Sequence, residues 1–364
     1  MRYAVVLAAG KGTRMRADRP KPLVEVCGVS MLGHVLGALA EVPELARIVV
    51  VVGHDAELVE AELARLELGG VEVITAHQAT QRGTGDAVRV GLGELPELLP
   101  GVGGSGAEVL VVPADTPLLT TATFQALLAA HAEGGNAATV LTMELDDPTG
   151  YGRIVRGRNG RVERIVEQSD LDDHEVAPTR EVNTGVYVFD LAVLPIALRM
   201  LAPTNRQREY YLTDSVALLA HAGYRVDTVV LADPTEALGV NDRLQLAEVE
   251  ALMCERIRRR WLARGVRLAG GASVWIGARV EIAPGATVGP NVVLEGRTRI
   301  DADAVVGPGS RLRDTVVGRG AELEAVVAVE ARIGEYAVLG PFCVLRPGAS
   351  VEPKASVEPF GVVG

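Results

Sequence analysis

Between Ile276 and Val357 aliphatic residues recur at six-residue spacing, which is neither the 3.6 of a helix nor the 2 of a strand. Ile276, Ile282, Val288, Leu294, Ile300, Val306 and Leu312 follow one another in unbroken register. After irregular spacing around Val317 and Leu323, the register resumes at Val327, Ile333, Leu339, Leu345, Val351 and Val357. Small residues recur two places earlier, at Ala286, Ala304, Ser310, Ala337, Cys343, Ala349 and Ala355. Hexads of this kind suit a β-helix, in which each short face contributes one inward aliphatic residue and each tight corner needs a small neighbour. Three hexads make roughly one coil, so about five coils are expected.

The first 240 residues read differently, as short apolar runs alternating with amphipathic patterns, the signature of an α/β domain with a largely parallel sheet. The expected strands are Tyr3 to Ala8, Arg47 to Val52, Val71 to Thr75, Glu108 to Pro113, Ala137 to Leu145 and Val182 to Phe189. Ser30 to Val42 and Asp55 to Leu66 carry helical spacing. Asn159-Gly160 sits between two alternating runs, which predicts a hairpin and therefore an antiparallel excursion. Pro100 to Ala107 is glycine-rich but precedes a strand rather than a helix, so it reads as a surface loop. From Asn241 to about Arg264 one long helix is expected, with Leu244, Val249, Leu252, Met253, Ile257 and Trp261 as its apolar stripe. Arg258, Arg259 and Arg260 near its end suit a helix C-terminus better than a nucleic-acid patch. The expected domains are thus 1–240, a linking helix over 241–267, and a β-helix over 268–364.

Composition removes several function classes. At 48% hydrophobic and 23% charged residues, the chain is neither disordered nor collagenous. No run of about 18 apolar residues occurs and the N-terminus lacks a secretory pattern, so a cytosolic protein is expected. Cys27, Cys254 and Cys343 have no metal or disulfide spacing and read as packed thiols. A net charge of −11 opposes non-specific nucleic-acid binding. An anionic ligand therefore needs a local cluster of donors, and two of the three lysines, Lys11 and Lys21, fall in the first 21 residues.

That cluster surrounds LAAGKGTRM, which follows the first expected strand at the place where parallel α/β sheets bind ligands. Gly10 and Gly12 would let the backbone approach a polyphosphate, with Thr13, Arg14 and Lys21 as hydroxyl and cationic partners. Asp115 ends the apolar run EVLVVPAD, and a carboxylate there is placed equally well as a magnesium ligand or as the N-cap of the following helix. His34, His54, His77, His131, His174 and His221 show no metal-ligand spacing.

LAAGKGTRM, Pro20-Lys21, QATQRGTGDAV, ADTPLL, DDPTGYGRIVR, IVEQ, VNTGVYVF, EYYLTD and GVNDRLQL occur in this order. The chain so read resembles the bacterial bifunctional enzymes that combine N-acetylglucosamine-1-phosphate uridylyltransferase with glucosamine-1-phosphate N-acetyltransferase. The resemblance implies an α/β fold: a Rossmann-like nucleotidyltransferase domain with a mixed, mainly parallel sheet, then a short left-handed parallel β-helix. It implies that Leu7, Ala8, Ala9 and Gly10 line the nucleotide site and that Lys21 contacts phosphate. Gln78, Gly83 and Thr84 would read the uracil. Asp115, also beside the nucleotide, would hold Mg2+ with Asn241, while Gly152, Glu167, Asn183 and Asn241 would meet the sugar phosphate. Arg14 is inferred as a transition-state cation from its place in the loop. Ala114 (usually Gly), Glu25 and Asp86 (often His), and Arg208 (usually Gly) depart from the family pattern.

The reaction so implied is transfer of UMP from UTP to N-acetylglucosamine 1-phosphate by a cytoplasmic homotrimer, with no nucleic-acid or membrane partner. A sugar 1-phosphate is mostly dianionic at neutral pH, its second pKa being about 6, so it needs no general base. In the family the β-helix continues beyond this point and carries the acetyl-transfer site with its histidine base. No histidine follows His221, so these residues are expected to lack acetyltransferase activity. The rival expectations are another pyrophosphorylase, acting on glucose 1-phosphate or with dTTP, and a non-catalytic β-helix scaffold.

Overall fold

A computed structural model describes residues 1–10, 15, 18–96, 106–171 and 179–364. They separate into two compact units, one of Met1–Val24 with Ser30–Gln245, the other of Glu25–Val29 with Leu246–Gly364. Lys11 to Arg14 and most of the glycine-rich stretch after Pro100 lie outside the described residues.

In chain order the elements up to residue 263 are β1 (Arg2–Leu7), β2 (Glu25–Val26), β3 (Val29–Ser30), α1 (Met31–Ala40), β4 (Leu45–Val52), α2 (Ala56–Leu63), β5 (Glu72–His77), α3 (Thr84–Leu92), β6 (Glu108–Pro113), α4 (Thr121–Gly134), β7 (Ala138–Glu144), β8 (Arg153–Arg156), β9 (Val162–Val166), β10 (Glu181–Asp190), α5 (Leu194–Met200), α6 (Thr213–His221), β11 (Val226–Val230) and α7 (Arg243–Ala263). The first unit is built on one mixed sheet in the order β11-β7-β10-β6-β1-β4-β5, with the β8–β9 hairpin attached to β10. Along this order four pairs are parallel and β10 runs antiparallel between β6 and β7; the pairs made by the hairpin are antiparallel too. The hairpin closes over Asn159-Gly160, as its sequence requires.

The central strands are apolar on both faces because helices cover both. Tyr3, Val5, Val49, Val51, Val109 and Val111 face one core, while Ala4, Val6, Ile48, Val50, Leu110 and Val112 face the other, the strict alternation of a pleated strand. After β1 the chain crosses to β4 on one side, and later to β6 on the other. A crevice opens beyond the strand ends at such a switch point. The residues following β1 lie there.

The second unit contains 17 strands of two or three residues between Arg267 and Val363, arranged in three parallel sheets of six, six and five. This is the β-helix. Its inward residues stack in columns, such as Ile282, Ile300, Val317, Ile333 and Val351. The small residues two places earlier also face in: Ala286, Ala304, Ser310, Ala337 and Cys343 are fully buried. One register differs from the hexad expectation. Ala328, not Val327, stacks on Leu312 and Leu345, and Val327 points outward at 41% exposure. Five residues rather than six separate Leu323 from Ala328 and Ala328 from Ile333, so a constant period overruns the shortened corners. The helix stripe also narrows: Val249, Met253, Ile257 and Trp261 are buried four apart, whereas Leu244 is 83% exposed.

Candidate active site

Beyond β1, the Ala8 N–H donates to Val51 O (2.9 Å) and the Ala114 N–H donates to Leu7 O (3.1 Å). The backbone after β1 is thereby pinned between the ends of β4 and β6. Gly53 approaches Ala9 so closely that a Cβ there would sit 3.0 Å from the Ala9 carbonyl oxygen. A Cβ on Gly10 would meet nothing within 4 Å, so the backbone remains approachable on that side. Gln81 donates its amide to the Ala9 carbonyl.

Lys21 opens a short turn after Pro20, and its ammonium donates to Asp115 Oδ2 and, at 3.0 Å, to Asn241 Oδ1. Asp115 lies two residues past β6; its carbonyl accepts from Val240 N (3.0 Å), which docks the Asn241 segment beside it. The N-cap of α4 is Thr120, whose hydroxyl accepts from Thr123 N. Asp115 is therefore left for other work. Three segments of distant sequence thus bring one ammonium and two oxygens together, with Asn241 on the Asp115 side.

Gln78, Gly83 and Asp86 form a second group. The buried Gln78 amide nitrogen donates to Asp86 Oδ2 (2.9 Å) and Gly83 O (3.3 Å). Gly83 has φ +110, and a Cβ there would lie 2.6 Å from Tyr210 O, so only glycine fits. Thr84 Oγ1 accepts from Leu212 N (3.0 Å) and so ties the start of α3 to the EYYLTD segment. Gln78 also lines a cavity of about 800 Å³ with Gly53, His54, His77 and Gln81.

Gly152, Glu167 and Asn183 form a third group. Asn183 N donates to Gly152 O (2.9 Å), and a Cβ on Gly152 would sit 3.2 Å from Glu167 Oε2. Asn183 Nδ2 donates to the Tyr187 hydroxyl (2.7 Å), and its Oδ1 accepts from Gly185 N (3.0 Å). Thr213 Oγ1 donates to Glu167 Oε1 (3.0 Å). Desolvation raises the Glu167 pKa; the Thr213 hydrogen bond opposes that rise, and nearby Asp214 and Asp170 add to it. Burial likewise pushes the Tyr187 phenol far up, so it remains a neutral hydroxyl. Thr213 and Tyr187 were not singled out from sequence, although both stand inside motifs, EYYLTD and VNTGVYVF, that mark the segments.

A nucleotidyl transferase family profile matches residues 3–234. The bifunctional protein GlmU of Streptomyces avermitilis is 46% identical over 331 residues, covering 91% of this chain and 66% of that protein. GlmU of Heliobacterium modesticaldum is 41% identical over 334 residues, covering 92% and 70%. The chain belongs to the GlmU family of nucleotidyl transferases. It spans about two thirds of the length of the curated relatives it matches, 66% for the Streptomyces protein. HddC from Yersinia pseudotuberculosis superposes with a TM-score of 0.51 at 17% identity, covering 70% of this chain and all of that one, a likeness of fold alone.

Two departures from the GlmU pattern have structural readings. Arg208 adopts φ +57, the left-handed backbone for which glycine is the usual choice. Asp86 is a buried carboxylate with both oxygens engaged, by Gln78 and by Arg89. Arg14 lies outside the described residues. The Asp115 and Asn241 oxygens suit a hard divalent cation: they already converge on the Lys21 ammonium, a cation in the same place. Among the described residues no group of three or more His, Cys, Asp or Glu is poised to bind a metal. So sparse a pair fits a divalent cation that completes its shell with water and substrate phosphate. No described helix is long and apolar enough to cross a membrane.

Proposed function

We propose that the chain transfers UMP from UTP to N-acetylglucosamine 1-phosphate, releasing pyrophosphate, with Mg2+ held by Asp115 and Asn241. The observation that carries this reading is the meeting of Lys21, Asp115 and Asn241 at the switch point of the sheet. When bound, the metal would offset negative charge on the phosphates. Lys21 neutralises phosphate charge, and the open backbone at Ala9 and Gly10 takes the polyphosphate side. Gln78 and Gly83 hold the base. Gly152, Glu167 and Asn183 position the sugar so that its phosphate oxygen faces the α-phosphorus in line. That oxygen carries its own negative charge, so no side chain has to remove a proton. Arg14 is assigned to the leaving pyrophosphate by its place in LAAGKGTRM.

The test is an assay crossing UTP and dTTP with the 1-phosphates of N-acetylglucosamine, glucosamine and glucose. UTP with N-acetylglucosamine 1-phosphate should be the preferred pair, and EDTA should abolish turnover. Asp115→Asn should cut the rate by about 100-fold or more. A preference for another pair overturns the substrate assignment, and activity insensitive to both EDTA and Asp115→Asn overturns the metal assignment.

A further inference from the structure

The carboxylate of Asp86 is 6% exposed in the first turn of α3, and both its oxygens are used. Oδ1 accepts from the Arg89 guanidinium and Oδ2 from the Gln78 amide nitrogen at 2.9 Å. The same nitrogen also donates to Gly83 O at 3.3 Å. Both partners are acceptors only, so the two ends of the Gln78 amide are distinguished by chemistry. The nitrogen is turned to Asp86, and the carbonyl Oε1 is the end left for a ligand. Without that carboxylate a glutamine amide could present either edge after a half-turn of its last torsion.

We propose that Asp86, backed by Arg89, is a positioning residue that locks the Gln78 amide with its oxygen toward the base, so that the site accepts a pyrimidine bearing hydrogen on N3 and rejects cytosine. Uracil and thymine carry an N3–H that Oε1 can accept. Cytosine N3 has a lone pair, and two facing acceptors leave both unpaired. A buried site matched to a donor discriminates strongly against an analogue that lacks it. The inference rests on the reading of Gln78 as part of the nucleotide end.

The experiment compares kcat/KM for UTP and CTP, with one sugar 1-phosphate, in the full chain and its Asp86→Asn variant. Asparagine can donate as well as accept, so in the variant only the longer contact to Gly83 O still favours the present orientation of the Gln78 amide. The UTP:CTP ratio should fall by about 30-fold, corresponding to about 2 kcal/mol. A ratio unchanged within threefold, whether both rates hold or both fall together, overturns the proposal, because a merely structural role would lower both alike. Should Asp86→Asn fail to fold, Gln78→Leu removes the acceptor itself; the ratio should collapse, and a preserved ratio overturns the proposal. Should the wild type turn over neither nucleotide, the reading of the reaction fails. Calorimetric binding of UMP and CMP to wild type and variant then tests the positioning role alone, with retained equal preference as the overturning result.

Discussion

Glu167 is held where its charge costs stability. A carboxyl whose folded pKa is raised contributes stability that is complete below its unfolded pKa, near 4.3, and is lost as pH rises through the folded value. The rise at Glu167 comes from desolvation. Glu167→Gln keeps the acceptor for Thr213 while removing the charge. The variant should melt above wild type at about pH 8, with the difference closing toward pH 4, and should lose sugar-phosphate turnover by about tenfold or more. Melting curves at the two pH values check this, and a variant that melts lower at the higher pH would refute it. The candidate residues Lys21, Asp115 and Glu167 are marked in the sequence because each stands in a short motif. The partners that orient them are not. Thr213 touches Glu167 across 46 residues, and nothing local to Asp86 announces that Gln78 and Arg89 occupy its two oxygens.

At the scale of the element, the start of α3 depends on one glycine. Gly83→Ala would force a Cβ against Tyr210 O at a backbone angle that side chains avoid, and strain of this kind costs about 1 to 3 kcal/mol. Thermal unfolding should register that loss together with weaker UTP binding; an unchanged melting temperature would mean that the Tyr210 segment yields. The β2–β3 turn offers a second test. Cys27 and Gly28 at its tip have φ +50 and +79, and Cys27 Sγ lies 3.3 Å from Cys254 Sγ on α7. Either thiol can donate across this contact; a hydrogen bond from Cys27 lowers the Cys254 pKa to about 7, while the same contact and burial raise that of Cys27. Iodoacetamide should therefore label Cys254 ahead of Cys27 and Cys343, with a rate rising through about pH 7. Equal labelling of the three, read by peptide mass, would contradict the pairing. Strand positions read well from sequence, since alternation reports burial directly. Val327 read poorly, because a period assumes corners of equal length and three of these are short.

For the whole molecule, the outer faces of the β-helix lead us to predict a trimer assembled through it. Val327, Val344 and Val362 are neighbours in one sheet and are 41%, 38% and 58% exposed, and Val305 and Val338 line a second sheet at 39% and 47%. The third sheet turns Glu281, Arg299 and Arg332 outward. One unbroken valine stripe, and on a second face two valines flanking the exposed Glu322, fit association around a threefold axis. Light scattering should give three times the 38.3 kDa chain mass, and Val344→Asp should reduce it to one. A monomeric wild type would refute the assembly. Periodicity alone determined that one part of this chain is a layered α/β sheet and the other a β-helix, because the spacing of apolar residues is a local record of which face is buried. Local motifs likewise marked the segments that could bind phosphate. Only the tertiary structure decided that Lys21 meets Asp115 and Asn241, that Cys27 meets Cys254, and which way the Gln78 amide points. Those contacts depend on β1 lying between β4 and β6 and on segments up to 227 residues apart meeting, and no local period records such a crossing.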